Sequence, residues 1–416
     1  MKVAIIGSGI SGLTCAYLLQ QVADIHVFES NAVIGGHTAT KDVTVDGENY
    51  AIDTGFIVFN DWTYPNFIRL LDELDVRSKP TEMSFSVASE MTGLEYSGSG
   101  LKGLFAQRRN LLSPKFYRML KDIIRFNRES VEDFGNGLIS EHTSLGHYLS
   151  ERKYSKAFID DYLIPMGSAI WSASYETMNS FPLVFFIRFF KNHGLLSVTN
   201  RPQWRVVEGG SRSYLEPLVE GFKDRIQTNS RIVSVERLDD NVWINFDDGS
   251  VKQFDQVVFA CHSDQALRLI KNPSKDEKDL LGAMAYQENE VVLHTDQSLL
   301  PKRQQAWASW NYRVRRHQQD QAVLTYNMNI LQGIKSDKVF CVTLNDTDNI
   351  QPETIVGRYH YSHPVFTPES VSAAARWSDI NGQYRSWFCG AYWANGFHED
   401  GCASGIRVAT SLGATW

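Results

Sequence analysis

Three glycines stand directly behind the first apolar run of the chain and carry its clearest chemical signal. Gly7, Gly9 and Gly12 form a G-x-G-x-x-G pattern. A strand that enters a helix through such a turn leaves backbone N–H groups and the positive end of the helix dipole facing outward, which suits a pyrophosphate. Glu29 closes the next apolar run, where a carboxylate can accept both hydroxyls of an adenosine ribose. The sequence therefore predicts a dinucleotide site.

Further glycines indicate which dinucleotide is bound. A second glycine pair, Gly35 and Gly36, permits close backbone approach, and His37 and Thr38 follow it. Asp53-Thr54-Gly55 ends a hairpin, and near the C-terminus a strand ends in Gly390 before a helix that opens at Gly401. Such a strand–helix return offers N–H donors to the electron-rich edge of an isoalloxazine ring, and a nicotinamide dehydrogenase has no need of it. We therefore predict a flavin.

Two histidines are candidates for the group that takes a proton in a flavin-dependent oxidation, because the unperturbed pKa of histidine is about 6.5. His398 precedes the C-terminal helix, and its alternative interpretation is a structural residue in a tight turn. His294 lies in an apolar strand, and the next two residues fit a turn that ends this strand, which is the alternative to facing the flavin. Glu399 and Asp400 are expected to cap the helix, and Asp400 also to approach the flavin.

Aromatic side chains are candidates for an apolar substrate cavity, with core packing as the alternative. Trp310 belongs to an alternating aromatic strand, and Phe185 belongs to the apolar run 181–190. This run is shorter than the roughly twenty residues that a bilayer requires, and Arg188 interrupts it. The sequence leaves three interpretations open: a buried helix, a channel wall, or an interfacial helix with Arg188 and Lys191 at the lipid headgroups.

Composition narrows the class of protein. A chain of 416 residues exceeds one ordinary core, so two domains are expected. A net charge of −7 argues against a nucleic-acid surface. Five cysteines without C-x-x-C spacing fit buried thiols in a reducing compartment.

Because the glycine motif follows the apolar run that starts at residue 2, that run is expected to be a core strand rather than a signal peptide. His360-x-x-His363 lacks a third ligand, so no metal site is predicted.

Apolar periodicity predicts the elements that must position these residues. A strand, a helix, a strand and a hairpin with its turn at Asp46-Gly47 are expected in 1–60, mostly helices in 61–200, and a mixed sheet in about 280–375. We predict an α/β protein in which a Rossmann-like nucleotide-binding domain is combined with a discontinuous mixed α+β substrate domain. The first domain is expected to comprise 1–60, 200–275 and 380–416, and the second 61–199 and 276–379.

These motifs, in this order along nearly the whole chain, resemble the FAD-dependent amine oxidase and phytoene desaturase superfamily. The resemblance implies FAD as cofactor. It also implies that Phe397 aligns with an aromatic wall of the substrate site. The implied cofactor-binding residues are Gly7, Gly9, Ser11, Gly12, Glu29, Gly35, Gly36, His37, Thr38, Asp53, Gly55, Val233 through nearby backbone, Gly390, Asp400 and Gly401.

A narrower resemblance rests on the segments 165–172, 201–204, 293–296, 307–312 and 396–401. They look like the flavoprotein subgroup whose relatives are encoded beside, or fused to, cyclopropane-fatty-acid synthases. This implies a role in modified membrane fatty acids, including furan fatty acid formation, with a lipid methyltransferase as a candidate partner.

Three departures from the amine oxidases count against amine oxidation, although not against FAD. His37 stands where many of them carry Arg, and Ala391 replaces a Glu that often follows the strand end. The Lys that holds a water near flavin N5 in monoamine oxidases has no convincing counterpart.

The sequence therefore predicts an FAD-dependent oxidoreductase that takes hydride from a hydrophobic substrate, a methylated or unsaturated fatty acyl chain, onto flavin N5. Two alternatives stay open: an amine oxidase for a polyamine or related amine, and a non-catalytic flavoprotein subunit that supports a lipid methyltransferase. The expected location is cytoplasmic, with the inner face of the membrane as a candidate contact.

Overall fold

The computed structural model describes residues 1–316 and 321–416. Within these residues the chain forms twenty strands, which are β1 (Lys2–Ile6), β2 (Asp24–Phe28), β3 (Thr40–Val45), β4 (Glu48–Asp53), β5 (Phe59–Asn60), β6 (Ser78–Pro80), β7 (Phe85–Ser89), β8 (Glu95–Ser97), β9 (Trp204–Val207), β10 (Ile226–Gln227), β11 (Ile232–Arg237), β12 (Val242–Phe246), β13 (Val251–Phe254), β14 (Gln256–Phe259), β15 (Tyr286–His294), β16 (Trp310–Val314), β17 (Leu324–Asn327), β18 (Cys341–Leu344), β19 (Ile355–Pro364) and β20 (Ser386–Phe388).

The same described residues contain fifteen α-helices, which are α1 (Ile10–Leu19), α2 (Pro65–Glu73), α3 (Gly100–Leu104), α4 (Pro114–Gly135), α5 (Leu145–Glu151), α6 (Lys156–Phe158), α7 (Ile164–Trp171), α8 (Tyr175–Ser180), α9 (Leu183–Asn192), α10 (Leu215–Val219), α11 (Ser263–Leu269), α12 (Lys275–Gly282), α13 (Met328–Leu331), α14 (Pro368–Ala375) and α15 (His398–Ser411).

A five-stranded parallel sheet joins the beginning, the middle and the end of the chain. Its order is β10-β2-β1-β14-β20, and every neighbouring pair is parallel. The central strands β1 and β14 are continuous apolar runs, as expected for strands that are covered on both faces. Helices α1 and α15 pack closely, because a Cβ on Gly405 would lie only 2.3 Å from the Ser11 carbonyl oxygen. The predicted α/β nucleotide-binding fold is thus confirmed, whereas the exact domain boundaries stay a prediction.

A seven-stranded mixed sheet faces the parallel one and confirms the α+β character of the second part of the fold. Its order is β19-β15-β18-β17-β16-β7-β8, antiparallel throughout except for the parallel pair β16 and β7. Strands β6 to β8 lie in the region that was expected to be mostly helical. They are short, and β7 finds its partner β16 more than 200 residues further along the chain, so no local signal announces them.

Helices α4 to α9 form a layer with an aromatic core. Helix α4 begins with Pro114 in its first turn, and the Ser113 side chain accepts a hydrogen bond from the Phe116 N–H. Phe126, Phe158 and their neighbours are fully buried in this layer. Helix α9 is mostly buried, although Arg188 is exposed, which contradicts the interfacial-helix alternative for this segment. Phe189 of α9 lines the cavity, as the channel-wall alternative expects. No helix within the described residues is long and apolar enough to cross a membrane.

Candidate active site

A cavity of about 2080 Å³ lies between the carboxyl ends of the parallel strands and the mixed sheet. Open parallel sheets bind ligands at this edge, where the strand order reverses beside β1. Single small-molecule sites usually measure about 300–1,000 Å³. The cavity therefore has room for a dinucleotide together with a second molecule.

The glycine turn after β1 forms the nucleotide end of the cavity. A Cβ on Gly12 would lie 2.1 Å from the Gly7 carbonyl oxygen, so only glycine lets α1 pack this tightly on the turn. Gly9 differs, because a Cβ there would meet no atom within 4 Å and would project into open space. Gly9 and Ser11 line the cavity, whereas Gly12 does not. Gly12 thus shapes the turn, and Gly9 leaves room for a pyrophosphate.

Glu29 is buried at the end of β2 and lines the same end of the cavity. One carboxylate oxygen accepts hydrogen bonds from the Ser8 N–H at 3.1 Å and from its hydroxyl at 2.6 Å. The other oxygen accepts from the Asn31 N–H at 2.8 Å and from its amide nitrogen at 2.9 Å. These bonds hold the carboxylate against the glycine turn, in the place where ribose hydroxyls would bind.

Asp53 is a buried structural hub and does not line the cavity, contrary to its predicted role in holding the cofactor. Its carboxylate accepts hydrogen bonds from the Thr40 hydroxyl at 2.5 Å, the Ser211 N–H at 2.9 Å and the Gln332 amide at 2.9 Å. Burial raises the pKa of Asp53, and the hydrogen bonds from Thr40 and Ser211 oppose that rise. Asp53 thereby ties the β3–β4 hairpin to the turn at residues 209–211 and to the end of α13.

Three half-buried imidazoles line the cavity, and we call them the histidine cluster: His37, His262 and His363. The ring centroids of His37 and His363 are 5.7 Å apart, and those of His37 and His262 are 6.1 Å apart. Burial lowers the pKa of His37 to about 3 and that of His363 to about 4. Burial also lowers the pKa of His262, so all three rings are neutral near pH 7. The buried Nε2 of His37 has no hydrogen-bond partner in the described protein and points to a ligand.

Sequence reasoning assigned the His360-x-x-His363 pair no function and missed His363 as a cavity residue. No local signal singled it out, because the six consecutive residues from Tyr359 to Pro364 at the end of β19 all line the cavity, whichever face of the strand they lie on. In the described part of the chain, no group of three or more His, Cys, Asp or Glu is placed to hold a metal ion.

His398 lines the cavity, but its ring is committed to the protein. It stacks on Phe56 with ring centroids 3.7 Å apart and an interplanar angle of 8°, and its Nε2 lies 2.9 Å from the Tyr214 hydroxyl. Burial lowers the pKa of His398 to about 3, so it is a weak base at neutral pH. These contacts favour the structural alternative over the predicted catalytic base.

Glu399 and Asp400 both accept backbone N–H groups. Glu399 accepts from the Phe67 N–H at 2.9 Å in the first turn of α2, and Asp400 accepts from the Phe397 N–H at 2.9 Å as the cap of α15. Asp400 does not line the cavity, so only its predicted capping role is visible.

His294 does not reach the cavity, and the prediction that it faces the flavin is wrong. It is completely buried in β15, where its Nε2 lies 2.7 Å from the Thr343 hydroxyl. Its Nδ1 accepts from the Asp296 N–H at 3.1 Å, and the Asp296 carboxylate accepts from the Ser298 N–H. The alternative interpretation, a turn that ends the strand, matches this geometry.

The remaining predicted residues divide into two groups. Those that line the cavity are Gly7, Gly35, Gly36, Thr38, Gly55, Gly390, Trp310 and Phe397. Those that do not are Val233, Gly401 and Phe185. Each of the second group has a visible reason. The Val233 side chain is 59% exposed, but the prediction concerned the backbone near it, and the adjacent Arg231 and Ile232 do line the cavity. A Cβ on Gly401 would lie 2.7 Å from Ile10 of α1, and Phe185 stacks behind Phe366 at 5.1 Å.

The end of the cavity beyond the histidine cluster is aromatic and aliphatic. Its apolar walls include Tyr96, Tyr162, Met166, Ile170, Trp171, Phe189, Leu195, Trp204, Trp310, Tyr326, Phe366 and Phe397. In the described residues only two carboxylates, Glu29 and Glu82, line any part of the cavity. Glu29 belongs to the nucleotide end. Glu82 is exposed, and its carboxylate accepts a hydrogen bond from the exposed Ser99 hydroxyl at 3.4 Å. The apolar end therefore lacks a buried anion.

A parallel sheet with a glycine cradle, an adjacent carboxylate and a second chamber lined by aromatic rings defines a dinucleotide-dependent oxidoreductase. A sequence model of the flavin containing amine oxidoreductases matches residues 10–325. The chain belongs to this family, and its cofactor is FAD. The open space at Gly9 and the unpaired Nε2 of His37 fit such a group.

Solved structures with the same fold include a putrescine oxidase variant, with a TM-score of 0.71, 15% identity, and coverage of 99% of this chain and 98% of that one. A protein from Exiguobacterium sp. 255-15, named a "putative protoporphyrinogen oxidase", has a TM-score of 0.70 at 16% identity, with 99% of this chain and 98% of that one covered. A CLA-producing fatty acid isomerase from P. acnes has a TM-score of 0.64 at 14% identity, with 99% and 98% covered. No curated protein sequence matches the chain.

Proposed function

We propose that the substrate of this FAD-dependent oxidoreductase is a hydrophobic molecule, specifically a methylated or unsaturated fatty acyl chain. The observation that carries the proposal is the apolar end of the cavity, where aromatic and aliphatic side chains form the wall and no carboxylate is buried. A polyamine brings at least two positive charges, and burying a charge without a partner costs several kcal/mol. A fatty acyl chain matches such a wall without that cost.

The residues that would hold FAD lie in sequence along the cavity. Gly9 leaves room for the pyrophosphate, and Glu29 would accept hydrogen bonds from the ribose hydroxyls. The Gly36 backbone packs beside Gly9, because a Cβ on Gly36 would lie 3.2 Å from the Gly9 Cα. When bound, FAD supplies an acceptor for a hydride from the substrate. The protein's own part is to position the reacting C–H bond and to exclude water.

His363 is the cavity residue best placed to give a ligand a hydrogen bond. Its Nδ1 lies 3.2 Å from the Asn289 amide nitrogen and 3.2 Å from the Ser172 hydroxyl. With Asn289 donating to Nδ1, the neutral ring carries its proton on Nε2, which then acts as a donor. This arrangement orients a ligand rather than removing a proton from it.

Oxidation of an amine is the second candidate function, and family membership favours it. Aromatic faces can attract a single ammonium group without a carboxylate. The same fold, however, also serves a protein named as a fatty acid isomerase, so the fold does not decide between the two substrate classes.

Fatty-acid profiling of cells tests the proposal directly. Cells that contain the protein, cells that lack it, and cells that contain Gly9→Glu would be compared, because a carboxylate in the cradle repels the pyrophosphate. We expect an altered set of methylated or unsaturated chains only with the unmodified protein. The proposal includes a lipid methyltransferase of the cyclopropane-synthase type as the source of methylated chains. Identical profiles in all three cultures would exclude the lipid substrate.

A further inference from the structure

One surface of the helical layer concentrates positive charge. The sequence from residue 96 to residue 121 contains six Lys and Arg residues and no Asp or Glu, although the whole chain has a net charge of −7. All six side chains are exposed, and they are Lys102, Arg108, Arg109, Lys115, Arg118 and Lys121. We call α3, the turn 108–112 and the first turns of α4 the basic–apolar face.

Most of these cations have no internal partner. Lys115 lies 3.7 Å from the Asp161 carboxylate, and Arg109 donates to the Gly93 carbonyl oxygen. The other four form no ion pair with any described residue. A solvated structural surface usually mixes both signs of charge, so this run of one sign is available for an external anion.

Large apolar side chains stand among the cations. Leu101 is 75% exposed and Leu112 is 89% exposed, and no other large apolar side chain in the described chain is more exposed than Leu112. The Tyr117 hydroxyl donates to the Leu111 carbonyl oxygen at 3.2 Å, and the Tyr117 ring lies 6.4 Å from the Phe105 ring at the end of α3. These contacts make the basic–apolar face one continuous surface.

An exposed part of the cavity lining borders this face. Gly98 and Ser99 line the cavity and are exposed to solvent. The Gly100 N–H, at the start of α3, donates to the Gly98 carbonyl oxygen at 2.9 Å. A molecule that enters past Gly98 therefore passes the edge of the basic–apolar face.

We propose that the basic–apolar face docks the protein on an anionic lipid bilayer. Stable attachment to a membrane surface usually needs two signals, and this face provides cations for acidic headgroups together with leucines for the boundary of the acyl chains. An acidic protein partner would pair with the cations but would give the protruding Leu101 and Leu112 no apolar environment. The docking depends on this face alone, and it holds whether or not the substrate is a lipid.

Vesicle co-sedimentation of the FAD-loaded protein tests the proposal without any turnover. We expect the protein to bind vesicles that mix phosphatidylglycerol with phosphatidylcholine, and we expect added salt to weaken this binding. Vesicles of phosphatidylcholine alone should bind almost no protein. Each cation near the surface changes the partition about fivefold. The triple variant Arg108→Gln, Arg118→Gln, Lys121→Gln should therefore bind on the order of a hundredfold more weakly. The double variant Leu101→Ser, Leu112→Ser should also bind more weakly while it keeps its salt dependence.

A matched control removes three exposed cations elsewhere, Lys275→Gln, Lys278→Gln and Lys335→Gln, and should bind as the unmodified protein does. FAD absorbance and thermal unfolding check that every variant is folded. Equal binding to neutral and anionic vesicles, equal loss in the control, or binding to soluble polyglutamate without binding to anionic vesicles would each overturn the proposal.

Discussion

At the residue scale, burial sets the protonation of the histidines around the cavity. Burial lowers the pKa of His37, His363 and His398 to between about 3 and about 4, so each ring is neutral near pH 7. A neutral ring in an apolar environment serves as a hydrogen-bond donor or a packing group. Because their pKa values are low, these rings are also weak bases, so we expect the site to act mainly by positioning its ligand.

His398→Ala tests the structural role of this histidine. The variant removes a ring that stacks on Phe56 and leaves the Tyr214 hydroxyl without that partner. We expect the free energy of unfolding to fall by about 2–4 kcal/mol, as for other buried rings. Thermal unfolding with FAD bound measures this fall. His142→Ala, at an exposed site, is the matched control and should have no such effect. Unchanged stability combined with complete loss of turnover would instead make His398 a catalytic residue.

His363→Phe tests the donor at the centre of the cavity. The substitution keeps an aromatic ring but removes the hydrogen-bonding nitrogens. We expect FAD to remain bound, because the nucleotide end is untouched, and kcat/KM to fall about tenfold with the loss of one buried hydrogen bond. Steady-state kinetics and FAD absorbance together measure the two effects. An unaltered kcat/KM would remove His363 from the site.

At the element scale, the glycine turn between β1 and α1 separates folding from cofactor binding. A Cβ on Gly12 would lie 2.1 Å from the Gly7 carbonyl oxygen, so Gly12→Ala forces α1 away from the turn. Gly9 has φ −70° and open space around its Cβ position, so Gly9→Ala is compatible with the empty fold. Neighbouring glycines in one motif therefore have different roles.

These two variants give a paired prediction. Gly12→Ala should lower the unfolding temperature of the FAD-free protein, whereas Gly9→Ala should leave it unchanged and weaken FAD binding at least tenfold, because the new methyl group enters the pyrophosphate space. Titration of the FAD-free protein with FAD and its thermal unfolding supply the two measurements. The reverse pattern would contradict the assigned roles.

The sequence predicts elements well where the signal is local. The strand β1, the hairpin turn at Asp46-Gly47, the buried strand β14 and the final strand–helix return all carry such signals, and the turn has positive φ at both residues as expected. Strand β7 was not foreseen because its pairing with β16 depends on contacts distant in sequence. His294 was misplaced for a similar reason, since only the neighbouring strand β18 shows that its ring meets Thr343.

At the scale of the whole molecule, one cavity connects the nucleotide end, the histidine cluster and an apolar end that opens beside the basic–apolar face. The parallel sheet supplies the first part and the mixed sheet and helical layer supply the others. Residues distant in sequence thus combine to line one cavity.

The many buried neutral histidines predict sensitivity to acid. Burial lowers the pKa to about 3 or about 4 for each of His37, His193, His294, His363 and His398. Below about pH 6.5 these histidines bind protons in the unfolded chain but not in the folded protein. The free energy of unfolding is therefore highest above that pH and decreases as the pH falls toward the pKa values of the folded state. Each of these histidines lowers the free energy of unfolding by up to about 1.4 kcal/mol per pH unit in this range.

Chemical unfolding between about pH 7 and pH 5 measures this dependence. His294→Gln should reduce the slope of the free energy of unfolding against pH by the contribution of one histidine, whatever its effect on stability at neutral pH. The exposed-site variant His142→Gln should leave the slope unchanged. A flat stability profile over this range would contradict the assigned burial.

The central claim is that the apolar end of the cavity admits a fatty acyl chain and not a polyamine. Anaerobic mixing of the FAD-loaded protein with each class of compound tests it most directly, because FAD loses its visible absorbance when a substrate reduces it. We predict loss of the flavin band with methylated or unsaturated fatty acyl lipids and no loss with putrescine. Loss of the band with putrescine but with no lipid would contradict the account.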